Sequence, residues 1–221
     1  MTETRLELKL FRGDRMRKIV NHLKKSDAVM GGIVDAVGPY KMTQLDPTFA
    51  SLARSITFQQ LSGKVARVIY GRLEEAVKAH GMTPEGILSL RPQRMRKVGL
   101  SKQKTEYLRD LARSTRDGVV VFEDLPRMAD DDVIACLTKV KGIGVWTAQM
   151  FLMFALGRQD IMAAGDLGIQ TALRKAYGLE TLPKPAVVEE MGVKWKPYRT
   201  AACWYLWRSL ETKPGADAGD L

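Results

Sequence analysis

One carboxylate in this chain stands where chemistry could be done. In KVKGIGVWTAQMFLMFALGRQDIMAAGDLGIQ, Lys139–Gln170, an apolar run is followed by two alanines, a glycine and Asp166. An acid directly before LGIQTALRKAYG reads as a helix N-cap, its oxygen taking backbone N–H groups of the first turn. Those donors keep the carboxylate ionised, because the positive end of a helix favours the anion. An anion held in this way can stabilise positive charge developing on a sugar, and can orient or deprotonate a water. Capping and catalysis are compatible, since the cap is what would hold the carboxylate still. Asp160 is the other acid close by and reads as structural.

Aromatic residues are the next candidates. Trp146 lies two residues past Gly144. Trp195 and Tyr198 sit in KWKPYR, and Trp204, Tyr205 and Trp207 follow it. Trp204 and Trp207 read first as core packing. Trp195, between lysines and just before Pro197, reads as less core-like, and an aromatic among basic residues can stack on a base.

Cations appear where helices begin. SKQK places Lys102 and Lys104 behind a Ser101 cap, and LSGK does the same more weakly with Lys64. Helix N-termini normally attract acids, so an anion supplied from outside would explain cations there. Solvated surface lysines are the plainer account of either site alone. A third feature is LTKV-KGIG-VWTAQMF. One helix ends near Val140, Gly142 and Gly144 bracket Ile143, and another helix begins near Val145. So short a glycine turn makes a tight helical hairpin whose backbone can approach another molecule and whose free N–H groups suit a phosphate. Alone, GIG is an ordinary turn with an isoleucine plug. Lys139 and Lys141 precede it, and no acid occupies its first turn. Three such sites in one basic chain favour binding to a DNA backbone.

Composition agrees. Lys+Arg number 35 and Asp+Glu 25, a net charge of +10. That favours a polyanionic partner, nucleic acid first and an acidic membrane surface second. At 221 residues, 45% hydrophobic and 27% charged, the chain is one globular domain or two small, intimately packed ones. Two cysteines, Cys136 and Cys203, exclude a four-cysteine iron–sulfur or zinc site. Their apolar contexts, VIACL and TAACWYLW, favour core thiols in a reducing cytoplasm over a disulfide. MTETRLELKLFRGD lacks the apolar core of a signal peptide. MFLMFAL and AACWYLW are too short to cross a bilayer. A soluble, intracellular protein without a membrane partner is expected.

The elements that must position these residues are helical. DPTFASLARSITFQQL predicts an amphipathic helix capped near Asp46 with Pro47 in its first turn. KVARVIYGRLEEAVKAHG ends at Gly81, and SKQKTEYLRDLARSTRDG runs from a Ser101 cap to a Gly118 stop. ADDDVIACLTKV, VWTAQMFLMFAL, DLGIQTALRKAYG and PYRTAACWYLWRSLE follow. LELKLF and VVVF look strand-like but are short. About ten helices are predicted. The loosest stretches are TLPKPAVVEEMGVKWKP and GGIVDAVGPYKM, and TKPGADAGDL reads as a frayed tail.

Hairpin, helix and spaced aspartate resemble the helix-hairpin-helix (HhH-GPD) base-excision DNA glycosylases, and most closely the 3-methyladenine DNA glycosylase II branch. SITFQQLSGKVARVIYGRL, RKVGLSKQKTEYLRDLA and KWKPYRTAACWYLW resemble segments of that branch, in order, from about Asp46 to Leu210. The resemblance implies an all-α fold of two helical subdomains with the active cleft between them. One would span residues 46–160 and contain the hairpin. The other would combine 1–45 with 161–221, with no separate N-terminal sheet domain.

It also implies roles. Asp166 would be the catalytic aspartate. Trp146, Trp195 and Tyr198 would line the base pocket. Gly142, Ile143 and Gly144 would grip a phosphate, with Lys141, Thr147, Ser101, Lys102, Lys104 and Lys64 as further DNA-binding candidates. Some relatives hold a monovalent cation, Na+ or K+, on hairpin carbonyls, here near Val140 and Ile143. Gln59, Gln60 and Leu61 fall where relatives insert a wedge into the gap left by the flipped nucleotide. Bifunctional members carry a lysine where this chain has Trp146; without that amine there is no Schiff base and no lyase step.

The expected enzyme is therefore a monofunctional hydrolase, without cofactor or iron–sulfur cluster, excising 3-methyladenine- or 7-methylguanine-type bases from damaged double-stranded DNA. It would be a cytoplasmic monomer, nucleoid-associated in a bacterium. Two alternatives stand beside it: a glycosylase of the same fold for uracil, oxidised or mismatched bases, and a non-catalytic hairpin protein that only binds DNA.

Overall fold

The computed structural model describes residues 3–211, with side chains from residue 14 onward. Regular structure among the described residues is helical, in twelve α-helices. In chain order these are α1 (Glu3–Ser26), α2 (Ala28–Val37), α3 (Phe49–Phe58), α4 (Gly63–Val77), α5 (Pro84–Ser89), α6 (Pro92–Lys97), α7 (Lys102–Arg116), α8 (Asp130–Leu137), α9 (Val145–Phe154), α10 (Leu167–Ala176), α11 (Pro185–Gly192) and α12 (Arg199–Glu211). The chain divides into two compact units. One holds the residues up to Thr43 together with those from Arg158 on; the other is Gln44–Gly157.

In the Gln44–Gly157 unit, α7 is the central strut, packed against α3, α5 and α6. Its buried residues, Thr105, Leu108, Leu111 and Ala112, recur at helical spacing and make one apolar stripe. Ser101 caps it, its hydroxyl accepting Lys104 N–H at 3.1 Å. Helices α8 and α9 pack against each other around the glycine turn.

In the other unit, α12 packs against both α2 and α10, and α1 against α2. Ala201, Ala202, Cys203, Tyr205 and Leu206 form the buried side of α12. Asp27 breaks the chain between α1 and α2 and caps α2, accepting Val29 N–H at 2.9 Å and Met30 N–H at 3.3 Å. It also accepts the Tyr177 hydroxyl, the Trp195 indole N–H at 3.2 Å and the Lys194 ammonium at 2.8 Å. Burial pushes its carboxyl pKa up, but Lys194, Tyr177 and the Met30 N–H outweigh burial and hold it below the ordinary carboxylate value.

Several sequence expectations are corrected. LELKLF lies inside α1. VVVF is a turn after α7: Val119 and Val120 N–H both bond Ser114 O, with Val120 and Phe122 buried and Val119 and Val121 exposed. That alternation imitates a strand without a partner strand. The cap of α3 is Thr48, whose hydroxyl accepts Ser51 N–H, so Pro47 precedes the helix instead of starting it. The two loosest stretches hold most of α2 and all of α11, with Val34 and Val188 buried in the core. The TKPGADAGDL tail lies outside the described residues. Cys203 is buried and Cys136 partly so, both as free thiols, and burial pushes the Cys203 thiol up to about 12. Among the described residues no helix is long and apolar enough to cross a membrane.

Candidate active site

Asp166 is the N-cap of α10, in extended conformation, with Oδ1 accepting Ile169 N–H at 2.8 Å. The same Oδ1 accepts the indole N–H of Trp207 at 2.8 Å. Two donors from two helices thus hold one carboxylate oxygen in place. Gly168 makes room for this arrangement. A Cβ there would stand 2.9 Å from Asp166 Oδ1 and 3.0 Å from Trp207 Cδ1. Gln170 steadies the approach, donating from Nε2 to Ala164 O at 3.0 Å. Asp160 is engaged by Arg199, whose Nε lies 2.7 Å from its Oδ1.

Trp195 is not available to a base. It is 0% exposed, and its N–H is spent on Asp27. Its flanking lysines made it look exposed, whereas the short 3-10 turn Val193–Trp195 drives the indole inward and sends Lys194 back to Asp27. Tyr198 is half-buried and packs edge-on against His22, ring centroids 5.3 Å apart.

Within the Gln44–Gly157 unit lies an apolar cavity of about 820 Å³ lined by residues of α3, the turn after it and α9, among them Arg54, Phe58, Gln60, Trp146, Met150 and Phe154. Trp146 lines this cavity and is 47% exposed. Arg54 lies over the Phe58 ring at 4.1 Å, putting a cation beside the cavity's apolar wall. Thr147 is buried and lines the same cavity, so it belongs to the cavity wall and not to a DNA-facing surface.

The hairpin is built around its second residue. Gly142 has φ +84°, and a Cβ there would come within 2.2 Å of the Tyr107 ring. Glycine is thus required twice over, by conformation and by space. Ile143 is buried beneath the turn, its N–H bonded to Val140 O at 3.1 Å. Lys141 is exposed, and its backbone N–H bonds Asp110 Oδ2 at 2.9 Å. Gly144 caps α9 without a side-chain bond. Gln59 Nε2 donates to Gly142 O at 3.1 Å, which takes Gln59 out of the wedge set and makes it a brace for the hairpin. Gln60 has φ +56° and is exposed, and Leu61 beside it is also exposed.

The lysines at helix starts divide. Lys64 and Lys102 are exposed. Lys104 is partly buried: its ammonium donates to Thr57 O at 2.8 Å, in the last turn of α3, and burial lowers its pKa. A carbonyl at a helix C-terminus carries partial negative charge, so part of the anomalous charge at the start of α7 is answered inside the protein.

Sequence reasoning missed Trp207, Gly168, Tyr107 and Asp110. The first offered a signal: an indole N–H in a largely apolar helix needs an acceptor.

A model of the HhH-GPD superfamily of base excision DNA repair proteins matches residues 53–197. A DNA-3-methyladenine glycosylase of Schizosaccharomyces pombe is 33% identical over 219 residues, covering 91% of this chain and 95% of that protein. The solved structure of an S. pombe 3-methyladenine DNA glycosylase in complex with abasic DNA superposes with a TM-score of 0.80 at 32% identity, covering 90% of this chain and all of that one. A Bacillus halodurans DNA-3-methyladenine glycosidase structure gives a TM-score of 0.78 at 36% identity, covering 88% and 89%.

Proposed function

We propose, for a chain that belongs to the HhH-GPD superfamily of base excision DNA repair proteins, hydrolytic removal of alkylated purines from double-stranded DNA. The observation that carries the reading is the Asp166 carboxylate, held by the α10 N-terminus and the Trp207 N–H in a chain similar along most of its length to 3-methyladenine glycosylases.

The chemistry follows from charge. Alkylation at N3 or N7 makes the purine cationic, weakening the glycosidic bond. The target nucleotide leaves the stack at a cost of a few kcal/mol. A cationic base stacked on the Trp146 indole gains about 0.5–2 kcal/mol. As the bond breaks, positive charge moves to the sugar, where the Asp166 carboxylate stabilises it. A water adds to the sugar carbon, its proton passing to the carboxylate or to solvent, and an abasic site remains. A leaving group that is already cationic needs no strong general acid. Trp146 offers no amine for a Schiff base, so the step is hydrolysis without strand cleavage.

The hairpin from Lys141 to Gly144 grips a phosphate, with Lys64 and Lys102 as additional cations. Gln60 and Leu61 supply the wedge. Hairpin carbonyls near Val140 and Ile143 would hold a monovalent Na+ or K+. Val140 O accepts Ile143 N–H, and a carbonyl oxygen retains a second lone pair. Exchange of potassium for tetramethylammonium at fixed ionic strength would then weaken DNA binding. The protein acts as a monomer.

The deciding experiment is Asp166→Asn on methylated duplex DNA, with chromatography of the freed bases and anisotropy for binding. Base release collapses while DNA affinity survives. Unchanged release removes Asp166 from the chemistry; no release of any base by the wild type leaves a DNA-binding protein. A panel of uracil, 8-oxoguanine and mismatched duplexes tests the lesion class, and preference for a neutral base overturns stacking of a cation.

A further inference from the structure

A second cavity, of about 360 Å³, lies between α6 and α7. It is lined by Arg96, Lys102, Thr105, Glu106, Arg109 and Arg113. Four cationic side chains face one carboxylate there. On α7 the lining positions 102, 105, 106, 109 and 113 fall on one helix face by their 3.6-residue spacing, and Tyr107, which meets Gly142, falls on the opposite one. The cavity is therefore separate from the hairpin.

Thr105 gives the cavity its meaning. It is 3% exposed, and its hydroxyl has no hydrogen-bond partner. Helical threonines ordinarily return the hydroxyl to the carbonyl four residues back. Thr57, Thr115 and Thr138 do so here, at 2.9, 2.9 and 2.7 Å. Thr105 lines the cavity with its hydroxyl unspent. A buried hydroxyl without a partner costs about 1–3 kcal/mol and calls for an absent acceptor. The arginines are partly pre-positioned: Arg109 Nη1 donates to Leu90 O at 2.8 Å, and Arg113 Nη2 to Asp110 Oδ1 at 3.2 Å. Guanidinium groups and a hydroxyl donor around one space match a tetrahedral oxyanion.

We propose that the α6–α7 cavity is a phosphate-binding site, with Thr105 donating to a phosphate oxygen and Arg96, Lys102, Arg109 and Arg113 supplying the charge. The phosphate is a free phosphate or monoester, or a backbone phosphate of DNA bound beyond the hairpin. The proposal does not depend on glycosylase activity.

Calorimetric titration of the full chain with inorganic phosphate, at ionic strength fixed with chloride, tests it, alongside duplex binding as a function of salt. Thr105→Val preserves shape and removes only the donor; Arg96→Ser removes one charge. Saturable phosphate binding that each variant weakens roughly tenfold, the loss of one hydrogen bond to a charged group, supports the site with a free phosphate as ligand. A fall of about one in the slope of log affinity against log salt for Arg96→Ser, with weaker duplex binding by Thr105→Val, supports it with DNA as the source. If neither phosphate nor duplex binding responds to either variant, the site is overturned. A Thr105→Val protein that is merely more heat-stable, with both anion measurements unchanged, overturns it equally.

Discussion

A carboxylate that must meet a fleeting cation has to be held in place, and in this protein one Asp166 oxygen accepts both a backbone N–H and an indole N–H. Trp207→Phe removes a hydrogen bond to a charged acceptor, an interaction of about 1.5–3 kcal/mol. The expected result is base release slowed roughly tenfold or more, with duplex affinity and folding retained, read by single-turnover kinetics and anisotropy. Gly168→Ala is the sharper test. Alanine is the better helix former by about 1 kcal/mol, so helix stability should hold or rise. Its Cβ nevertheless intrudes on both Asp166 Oδ1 and the Trp207 ring. Activity should therefore fall while the melting temperature does not, a divergence that a purely structural glycine would not give.

At the scale of the element, the glycine hairpin is a turn fitted against α7. Gly142→Ala meets a left-handed φ and the Tyr107 ring together. The combined cost is about 2–4 kcal/mol, measured by urea unfolding, with duplex affinity falling in parallel. Adding Tyr107→Ala removes the clash but not the φ penalty, so the double variant should recover part of the stability and not all of it. The same helix carries Lys104 to the end of α3. Lys104→Met should weaken the α3–α7 contact and leave the salt dependence of DNA binding unchanged, because that ammonium is engaged by the Thr57 carbonyl.

At the scale of the molecule, Asp27 ties the α1–α2 junction to the end of α10 and to the turn before α12. Its folded-state pKa is depressed, so its contribution to stability is fully present above the ordinary value of 3.8 and is lost as pH falls through the lower folded value. Asp27→Asn should cost about 2–3 kcal/mol at neutral pH, because Lys194, partly exposed, and the Tyr177 hydroxyl lose a charged acceptor. Below pH 4 the variant's stability should vary less with pH than the wild type's, as followed by thermal unfolding across an acid series.

What the chain's order of residues determined by itself was local. The Asp166 and Ser101 caps, the glycine-bracketed turn and the helical stripe of α7 are each written within a few neighbouring positions, because caps and periodicity act over one or two turns. Long-range partners decided the rest. Trp207 reaches Asp166 across 41 positions, through the packing of α12 on α10. Trp195, which its lysine neighbours present as a surface aromatic, is buried because Asp27, 168 positions earlier, accepts its N–H. Lys104, charged and placed at a helix start, turns inward because a carbonyl at the end of α3 is nearby only once the helices have packed. Side-chain polarity sets what each residue requires of its surroundings; only the packed chain settles which group, inside or outside the protein, meets that requirement.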